Sequence, residues 1–319
     1  MAKEELKQKC ICFLPLGDEN VASSRLRCFK IGEALSKRGF TTWTYPGNRS
    51  SDFLFIQKRT DDNAFDAARA CKRAGGFVVF DTDDFPSCPE FRKRAGELIS
   101  LADAVTTATP EQQELARGIF SLPTDKKVFC LPNPADYELL EPSLKLHHSS
   151  YPLKVVWFGN VENFPVHRVG AITSLPELEF HAITNASDAL RQQFPQCVFH
   201  AWSYCGFSAA ISSFDICVLS HEGSEISNAK SSNKMATAIL HGVPVVASCT
   251  PDYERLARAA GVAQWLYDDL QGMLRCVEML REPQTRNAYL RTAQQTVWKE
   301  CDVDQVVSRF LAILGSLDR

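Results

Sequence analysis

Signals of several large protein classes are absent from this sequence of 319 residues. No apolar run approaches the roughly 18 residues that a membrane-spanning helix needs. The start, Met-Ala-Lys-Glu-Glu, lacks the apolar segment of a signal peptide. The net charge of −3 offers no basic excess for binding nucleic acid. We therefore expect a cytoplasmic protein without a nucleic-acid partner.

Two motifs are also missing, and each absence disfavours a kind of site. The twelve cysteines form no Cys-x-x-Cys pair, and several lie inside apolar runs such as 128–131 and 215–219, as reduced core cysteines do. The first loop, residues 16–25, contains no Gly-x-Gly-x-x-Gly, which disfavours a dinucleotide cofactor. We expect neither a cofactor nor a bound metal.

What the chain does contain is an alternation of short apolar runs with longer stretches of helical period. In the first half, strands are predicted at Cys10–Leu16, Phe53–Gln57, Phe77–Phe80, Ala104–Thr107 and Val128–Leu131. Helices are predicted between them at 24–38, 63–74, 91–102 and 110–120. This order is typical of βα units that form a parallel sheet.

The rhythm breaks at 134–152, a proline-containing stretch that we interpret as an interdomain linker, and then resumes. Strands are predicted at Lys154–Phe158, Leu178–Ile183, Val198–Trp202, Asp215–Leu219, Val243–Ala247 and Gln264–Tyr267. Helices are predicted at 163–175, 187–194, 231–241, 251–260 and within 269–317. The fold class is therefore α/β, with two Rossmann-like domains facing a cleft and mostly parallel sheets, and ligands are expected at the carboxyl ends of the strands.

The predicted helix at 231–241 begins with features of a phosphate site. Ser231 or Ser232 suits the N-cap, and Lys230 and Lys234 flank the helix start. A helix N-terminus presents free N–H groups and a partial positive charge, which favour a phosphate or diphosphate. A surface helix with solvated lysines is the alternative interpretation.

This segment, Lys-x-x-x-Lys-x-x-x-Ala-x-x-x-Gly-x-Pro-Val-Val, resembles the donor-site signature of retaining GT-B glycosyltransferases of group 1 (family 4-like). Further segments resemble that family in the same order, and together they cover nearly the whole chain: Ser23–Arg27, Leu35–Gly39, Ala104–Glu111, Leu131–Asp136 and Val155–Asn160. The resemblance implies an acceptor-binding domain at 1–140, a nucleotide-sugar-binding domain at 141–301, and a terminal helix at 302–319 that crosses back to the first domain.

The resemblance also implies an activity, the transfer of a hexose from a UDP or GDP sugar to a glycan, lipid-linked or small-molecule acceptor, as in polysaccharide biosynthesis. The nucleotide sugar is then a substrate, and no cofactor is needed. The catalytic residues it implies are Lys230, Lys234, Asp83, Asp84 and His221. The donor-binding residues are Gly159, Asn160, Trp202, Glu222, Glu225, Ser231, Ser232, Asn233 and Thr237. The acceptor-binding residues are Ser24, Arg25, Arg27 and Asp81.

One departure from the family concerns its Glu-x7-Glu pair, whose positions here hold Ala229 and Thr237. Glu222 and Glu225 lie just upstream and are the nearest substitutes. The loss of the pair leaves open a GT-B-like protein that binds a nucleotide or glycan without transferring sugar. A sugar-nucleotide epimerase or hydrolase on the same fold is a further alternative.

The segment Phe80-Asp-Thr-Asp-Asp-Phe85 follows a buried predicted strand. Carboxylates there bind acceptor hydroxyls or take a proton in the transferase interpretation. An acidic turn with a helix cap, and a Mg²⁺ or Mn²⁺ site, are alternatives. Asp-x-Asp also resembles the first motif of haloacid-dehalogenase-type phosphatases, although Phe85 departs from that motif.

Other charged and aromatic residues leave two interpretations open. Arg25 and Arg27 either contact an acceptor phosphate or carboxylate, or are solvated on a helix. Trp202 either contacts a nucleobase or belongs to the core. The basic stretch 91–98 is either a solvated face or a point of peripheral membrane contact. The oligomeric state is not predictable from these patterns.

Overall fold

The computed structural model describes residues 6–45, 51–85, 88–137, 142, 145–221 and 223–317. The chain forms two compact units. The first comprises Met1–Ala135, Ala229–Ser231 and Cys301–Arg319, and the second comprises Asp136–Asn228 and Ser232–Glu300. Each unit contains a six-stranded parallel sheet with helices, so the predicted fold class is confirmed.

The sheet of the first unit has the strand order β2-β1-β3-β4-β5-β6. Its strands are β1 (Cys10–Leu14), β2 (Thr41–Thr44), β3 (Phe53–Gln57), β4 (Phe77–Asp81), β5 (Ala104–Thr107) and β6 (Lys127–Cys130). All five residues of β3 are buried, as expected for a central parallel strand covered on both faces. The edge strand β2 was not predicted, because Thr-Thr-Trp-Thr is partly exposed and carries no apolar run.

The helices of the first unit follow its strands. They are α1 (Ala22–Ser24), a π-helical turn (Arg25–Phe29), α2 (Lys30–Lys37), α3 (Asp62–Arg73), α4 (Pro89–Leu101) and α5 (Pro110–Ile119). Asp61 caps α3 by accepting from the N–H of Ala64, and Thr109 caps α5 by accepting from that of Gln112. Each of these two helices thus starts at a capping residue that lies shortly after the end of a strand.

The sheet of the second unit has the order β12-β11-β10-β7-β8-β9. Its strands are β7 (Leu153–Phe158), β8 (Leu178–Ile183), β9 (Cys197–His200), β10 (Ile216–Leu219), β11 (Val245–Ser248) and β12 (Leu266–Tyr267). Its helices are α6 (Val166–Thr173), α7 (Asp188–Gln193), α8 (Tyr204–Ile211), α9 (Glu225–Asn228), α10 (Asn233–Leu240), α11 (Pro251–Ala259), α12 (Leu270–Met279) and α13 (Pro283–Glu300). Short 3₁₀ turns lie at Val161–Asn163 and Ala263–Trp265.

The final helix, α14 (Val303–Leu317), belongs to the first unit. Its Phe310 ring lies 5.8 Å from that of Phe13 in β1 and 5.4 Å from that of Phe55 in β3. Val307 and Leu314 are buried in the same cluster. The helix therefore covers one face of the first sheet. None of the helices that the structure describes is both long and apolar enough to cross a membrane.

The described part of the predicted linker is packed rather than free. The backbone N–H of His147 donates to Asn287 Oδ1 at 2.8 Å, and Asn287 Nδ2 donates back to the His147 carbonyl at 2.9 Å. Arg286 donates to the carbonyl of His148 at 2.9 Å. These bonds fasten the segment to α13 within the second unit.

Candidate functional site

Lys234 lies in the first turn of α10, and its ammonium lies over the chain where β7 ends. Its Nζ is 5.5 Å from the centroid of the buried Trp157 ring, a distance at which a cation is attracted by the ring face. A Cβ at Gly159 would collide with this Nζ and would lie 3.2 Å from Trp157 Cζ2. Gly159 also has a φ of +155°, which other residues rarely adopt. The predicted residues Lys234 and Gly159 are thus brought together.

The start of α10 is not capped by the side chain of its own N-cap residue. Ser232 occupies the N-cap position, but its hydroxyl makes no capping hydrogen bond. Its backbone N–H donates instead to Asp252 Oδ2 at 2.6 Å, and Arg255 Nε donates to the other oxygen of that carboxylate at 2.9 Å. The serine was expected to cap through its side chain, and the sequence pattern did not select Asp252, which holds its N–H instead. The partial positive charge of this helix end therefore lies beside both the Asp252 carboxylate and the Lys234 ammonium.

His221 lies at the same sheet edge, just after β10. Its backbone N–H donates to Ser248 Oγ at 2.8 Å, and its ring Nε2 lies 3.2 Å from the Tyr253 hydroxyl. Burial raises the pKa of Tyr253 well above its ordinary value, so this hydroxyl stays protonated and can donate. Because β7, β10 and β11 are adjacent and parallel, His221 and Gly159 follow neighbouring strands at one edge.

The remaining predicted donor residues differ in exposure and partners. Thr237 is buried and donates to the Asn233 carbonyl at 2.8 Å, so its hydroxyl is engaged within α10. Trp202 is half-buried beyond β9, and its backbone N–H donates to Asn185 at 3.2 Å. Asn160 and Glu225 are exposed, whereas Asn233 is half-buried. Glu222 lies outside the described residues.

Lys230 and Ser231 group with the first unit in the three-residue segment Ala229–Ser231. The carbonyl of Ala229 accepts from Thr109 Oγ1 at 2.9 Å. The hydroxyl of Ser231 accepts from Asn133 Nδ2 at 3.1 Å. The segment that carries Lys230 is therefore fixed at two points by first-unit side chains.

Arg27 and Asp81 form a fully buried ion pair in the first unit. Arg27 Nε lies 2.6 Å from Asp81 Oδ2, Nη2 lies 2.5 Å from Oδ1, and Thr106 Oγ1 also donates to Oδ1 at 2.6 Å. The third nitrogen of Arg27 donates to Leu131 O and Asn133 Oδ1. Both side chains were expected to contact an acceptor, yet they contact each other and have no exposed surface. Desolvating two charges makes such mutual pairing necessary.

Asp83 is paired with Lys58, a residue that the sequence analysis did not select. Lys58 Nζ lies 2.9 Å from Asp83 Oδ1, and the two side chains are 12% and 13% exposed. Burial raises the pKa of Asp83, but the Lys58 ammonium and Arg27 guanidinium oppose it, and the pKa lies below its ordinary value. Asp84 is half-buried and its Oδ1 accepts from the N–H of Phe85 at 2.9 Å. The described residues include no group of three or more His, Cys, Asp or Glu that could hold a metal ion.

Ser24 and Arg25 hold the first loop. The Ser24 hydroxyl accepts from the N–H of Gly17 and donates to Gln57 Oε1, both at 3.0 Å. The buried Arg25 donates to the carbonyl of Glu19. Val21 is the N-cap residue of α1. The two predicted acceptor residues thus fix the loop after β1.

No protein-family model and no curated protein sequence matches the chain. Solved structures do match it. Sucrose-phosphate synthase from Thermosynechococcus elongatus has 10% identity and a TM-score of 0.69, over 97% of this chain and 99% of that chain. HepE from Anabaena, in complex with UDP, has 14% identity and a TM-score of 0.68, over 97% and 100%. WaaG, a glycosyltransferase involved in lipopolysaccharide biosynthesis, has 11% identity and a TM-score of 0.65, over 96% and 99%.

These neighbours are GT-B glycosyltransferases, and the match spans nearly the full length of all three chains. The resemblance to the GT-B fold is therefore confirmed. Identities of 10–14% establish the fold and leave the chemistry to be argued from the residues.

Proposed function

We propose that this protein is a glycosyltransferase that moves a sugar from a nucleotide-diphosphate sugar to a hydroxyl acceptor. The observation that carries the proposal is the Lys234 ammonium, held by Trp157 over Gly159 beside the start of α10. A cation next to a helix N-terminus at the carboxyl edge of a parallel sheet is suited to a diphosphate. The UDP bound to the structural neighbour HepE supports UDP as the nucleotide.

The chemistry of transfer places charge where this arrangement can stabilise it. As the glycosidic bond to the donor breaks, the sugar becomes oxocarbenium-like and the diphosphate gains negative charge. Lys234 and the α10 N–H groups would meet that charge without reorganising, which is the usual source of the largest catalytic effect. Lys230 is proposed as a second cation, and a retaining outcome with a hexosyl donor follows from the family resemblance.

The first unit is proposed to bind the acceptor. Its sheet places Asp83 at the carboxyl end of β4, where this side chain is 13% exposed.

The phosphatase alternative needs the first aspartate of the motif as a nucleophile, but both oxygens of Asp81 are held by Arg27. We place the protein in the cytoplasm, a reducing compartment in which its twelve cysteines persist as thiols.

Nucleotide binding tests the proposal directly. We expect UDP to raise the melting temperature, because a ligand that binds only the folded protein stabilises it. GDP, ADP and CMP serve as comparison ligands in the same thermal-shift and titration measurements. If no nucleotide at millimolar concentration binds, the proposal fails.

A GT-B-like binder without transfer activity is the second candidate. The residue at the place of the second family glutamate favours it, because Thr237 carries no carboxylate and its hydroxyl is engaged within α10. Incubation of UDP-sugars with glycan acceptors distinguishes the two: the transferase releases UDP and forms a glycoside, whereas the binder retains the intact donor.

A further inference from the structure

Lys58 has an unusual backbone for a lysine. Directly after β3 its φ is +52°, in the left-handed region that residues with a Cβ adopt at a cost in free energy. Its N–H donates to the Asp81 carbonyl at 2.9 Å, which holds the conformation. Glycine would meet the backbone requirement at lower cost. A lysine in this place therefore points to a role for its side chain.

The side chain of Lys58 reaches the carboxylate of Asp83, the second residue after β4. The carbonyl of Asp83 accepts from Gln112 Nε2 at 2.9 Å, so this residue is held at both its backbone and its side chain. Strands β3 and β4 are parallel neighbours, with Gln57 opposite Asp81, and the pair lies just beyond their carboxyl ends. That is the edge where ligands bind in open α/β sheets.

The ion pair Lys58–Asp83 differs from the buried pair beside it. Arg27 and Asp81 have no exposed surface, whereas Lys58 and Asp83 keep some. Asp83 therefore has room to accept a hydrogen bond from a ligand. An ionised carboxylate only accepts hydrogen bonds, so the ligand group that contacts Asp83 has to be a donor, as a sugar hydroxyl is.

We propose that Asp83 accepts a hydrogen bond from a hydroxyl of the acceptor sugar, and that Lys58 is the positioning residue that holds this carboxylate. The inference rests on the proposed function and deepens it, because it names a neutral pyranose hydroxyl as the group recognised by the first unit. Lys58 acts through Asp83 and has no direct part in bond breaking.

Saturation-transfer NMR tests this with glucose, galactose, mannose and N-acetylglucosamine as probes, in the presence of UDP. The variants are Asp83→Asn, Lys58→Met and Lys58→Arg. Lys72→Met is the matched control, since Lys72 forms a 2.6 Å ion pair with Asp103 in the same unit. We expect at least one sugar to be saturated by the wild type, a loss of fivefold or more in the first two variants, recovery with arginine, and no change in the control.

A pH series separates positioning from a merely structural role. Lys58 is the largest of the influences that lower the pKa of Asp83 against its burial, ahead of Arg27, so without Lys58 this pKa should rise. The pH below which sugar binding falls should then be higher in Lys58→Met than in the wild type. In Lys58→Arg it should equal the wild-type value. If Lys58 had only a structural role, the pH at which sugar binding falls would be the same in all three proteins.

Lys58→Gly tests whether a loss of sugar binding is caused by unfolding. It removes the backbone cost, so the variant should melt no lower than Lys58→Met while still losing sugar binding. UDP titration of every sample separates the two hypotheses. If UDP does not bind the wild type, the proposed function fails. If UDP binds but no probe sugar is saturated, or Lys58→Met matches Lys72→Met, the role of Lys58 and Asp83 is overturned.

Discussion

Lys234 and Gly159 depend on each other at the scale of single residues. The ammonium occupies the space that a side chain at 159 would need. We expect Gly159→Ala to displace Lys234, to weaken UDP binding and to lower the free energy of unfolding by about 1 kcal/mol through its backbone. Gly170→Ala is the control, since a Cβ there meets no atom within 4 Å. Unchanged UDP titrations for Gly159→Ala would contradict the arrangement.

Removing the charge itself should affect turnover more than binding. Lys234→Ala takes away a cation that is placed for the leaving diphosphate, so kcat should fall by on the order of 10²–10³ while UDP affinity falls less. Lys154→Ala removes an exposed lysine at the opposite end of β7 and should leave both unchanged. Equal kinetics for the two variants would remove Lys234 from the mechanism.

The residues that sequence reasoning missed share one property. Lys58, Asp252 and Asn133 contact partners 20 or more residues away in the chain. Asn133, for example, donates to Ser231, which is 98 residues distant. Local spacing carries no signal for such pairs. Lys234 and Gly159 could be selected as candidates because each lies in a short contiguous segment that resembles the family.

Elements were predictable where burial repeats along the chain. The runs Phe53–Gln57, Ala104–Thr107 and Leu178–Ile183 coincide with β3, β5 and β8. Helix α8 was missed because Tyr204–Ile211 is apolar around much of its surface and shows little periodicity. The predicted helix 24–38 includes the π-helical turn Arg25–Phe29, but the apolar spacing of the sequence does not distinguish π-helical from α-helical geometry.

The segment before β7 offers a prediction at the scale of elements. Burial raises the pKa of Asp215, but His147, the Lys154 N–H and Ser150 bring it down to about 2. A lowered carboxyl pKa stabilises the fold above the unfolded value near 4, and the gain is lost as pH falls through 2. Asp215→Asn should cost about 2 kcal/mol at pH 7, and urea unfolding at pH 7 and pH 2.5 should show this difference shrinking. A constant difference across that range would refute the assignment.

Helix α14 is expected to hold the first unit together. Phe310 contacts Phe13 and Phe55 in the core, so Phe310→Ala should lower the free energy of unfolding by about 3–5 kcal/mol. Ser308→Ala, on the exposed face, is the control. Chemical denaturation followed by circular dichroism would measure both, and equal midpoints would show that α14 contributes little.

At the scale of the whole molecule, the arrangement of charges predicts that transfer activity does not require a divalent metal ion. Lysine and helix N–H groups are proposed to neutralise the donor diphosphate. Asp81 and Asp83, at the end of β4, are paired with Arg27 and Lys58. Transfer activity should therefore persist in EDTA. Complete loss that Mg²⁺ restores would shift the diphosphate contact to a metal.

The discontinuous first unit also bears on the order in which the protein forms during synthesis. Phe13 and Phe55 emerge early, but the α14 residues that cover them are made only after Glu300. By then all of the second unit, Asp136–Asn228 and Ser232–Glu300, has been made, and domains fold as units while the chain is extended. Of the two units, the one whose strands are made first is thus completed second, because the sheet face that α14 covers stays exposed until that helix is made.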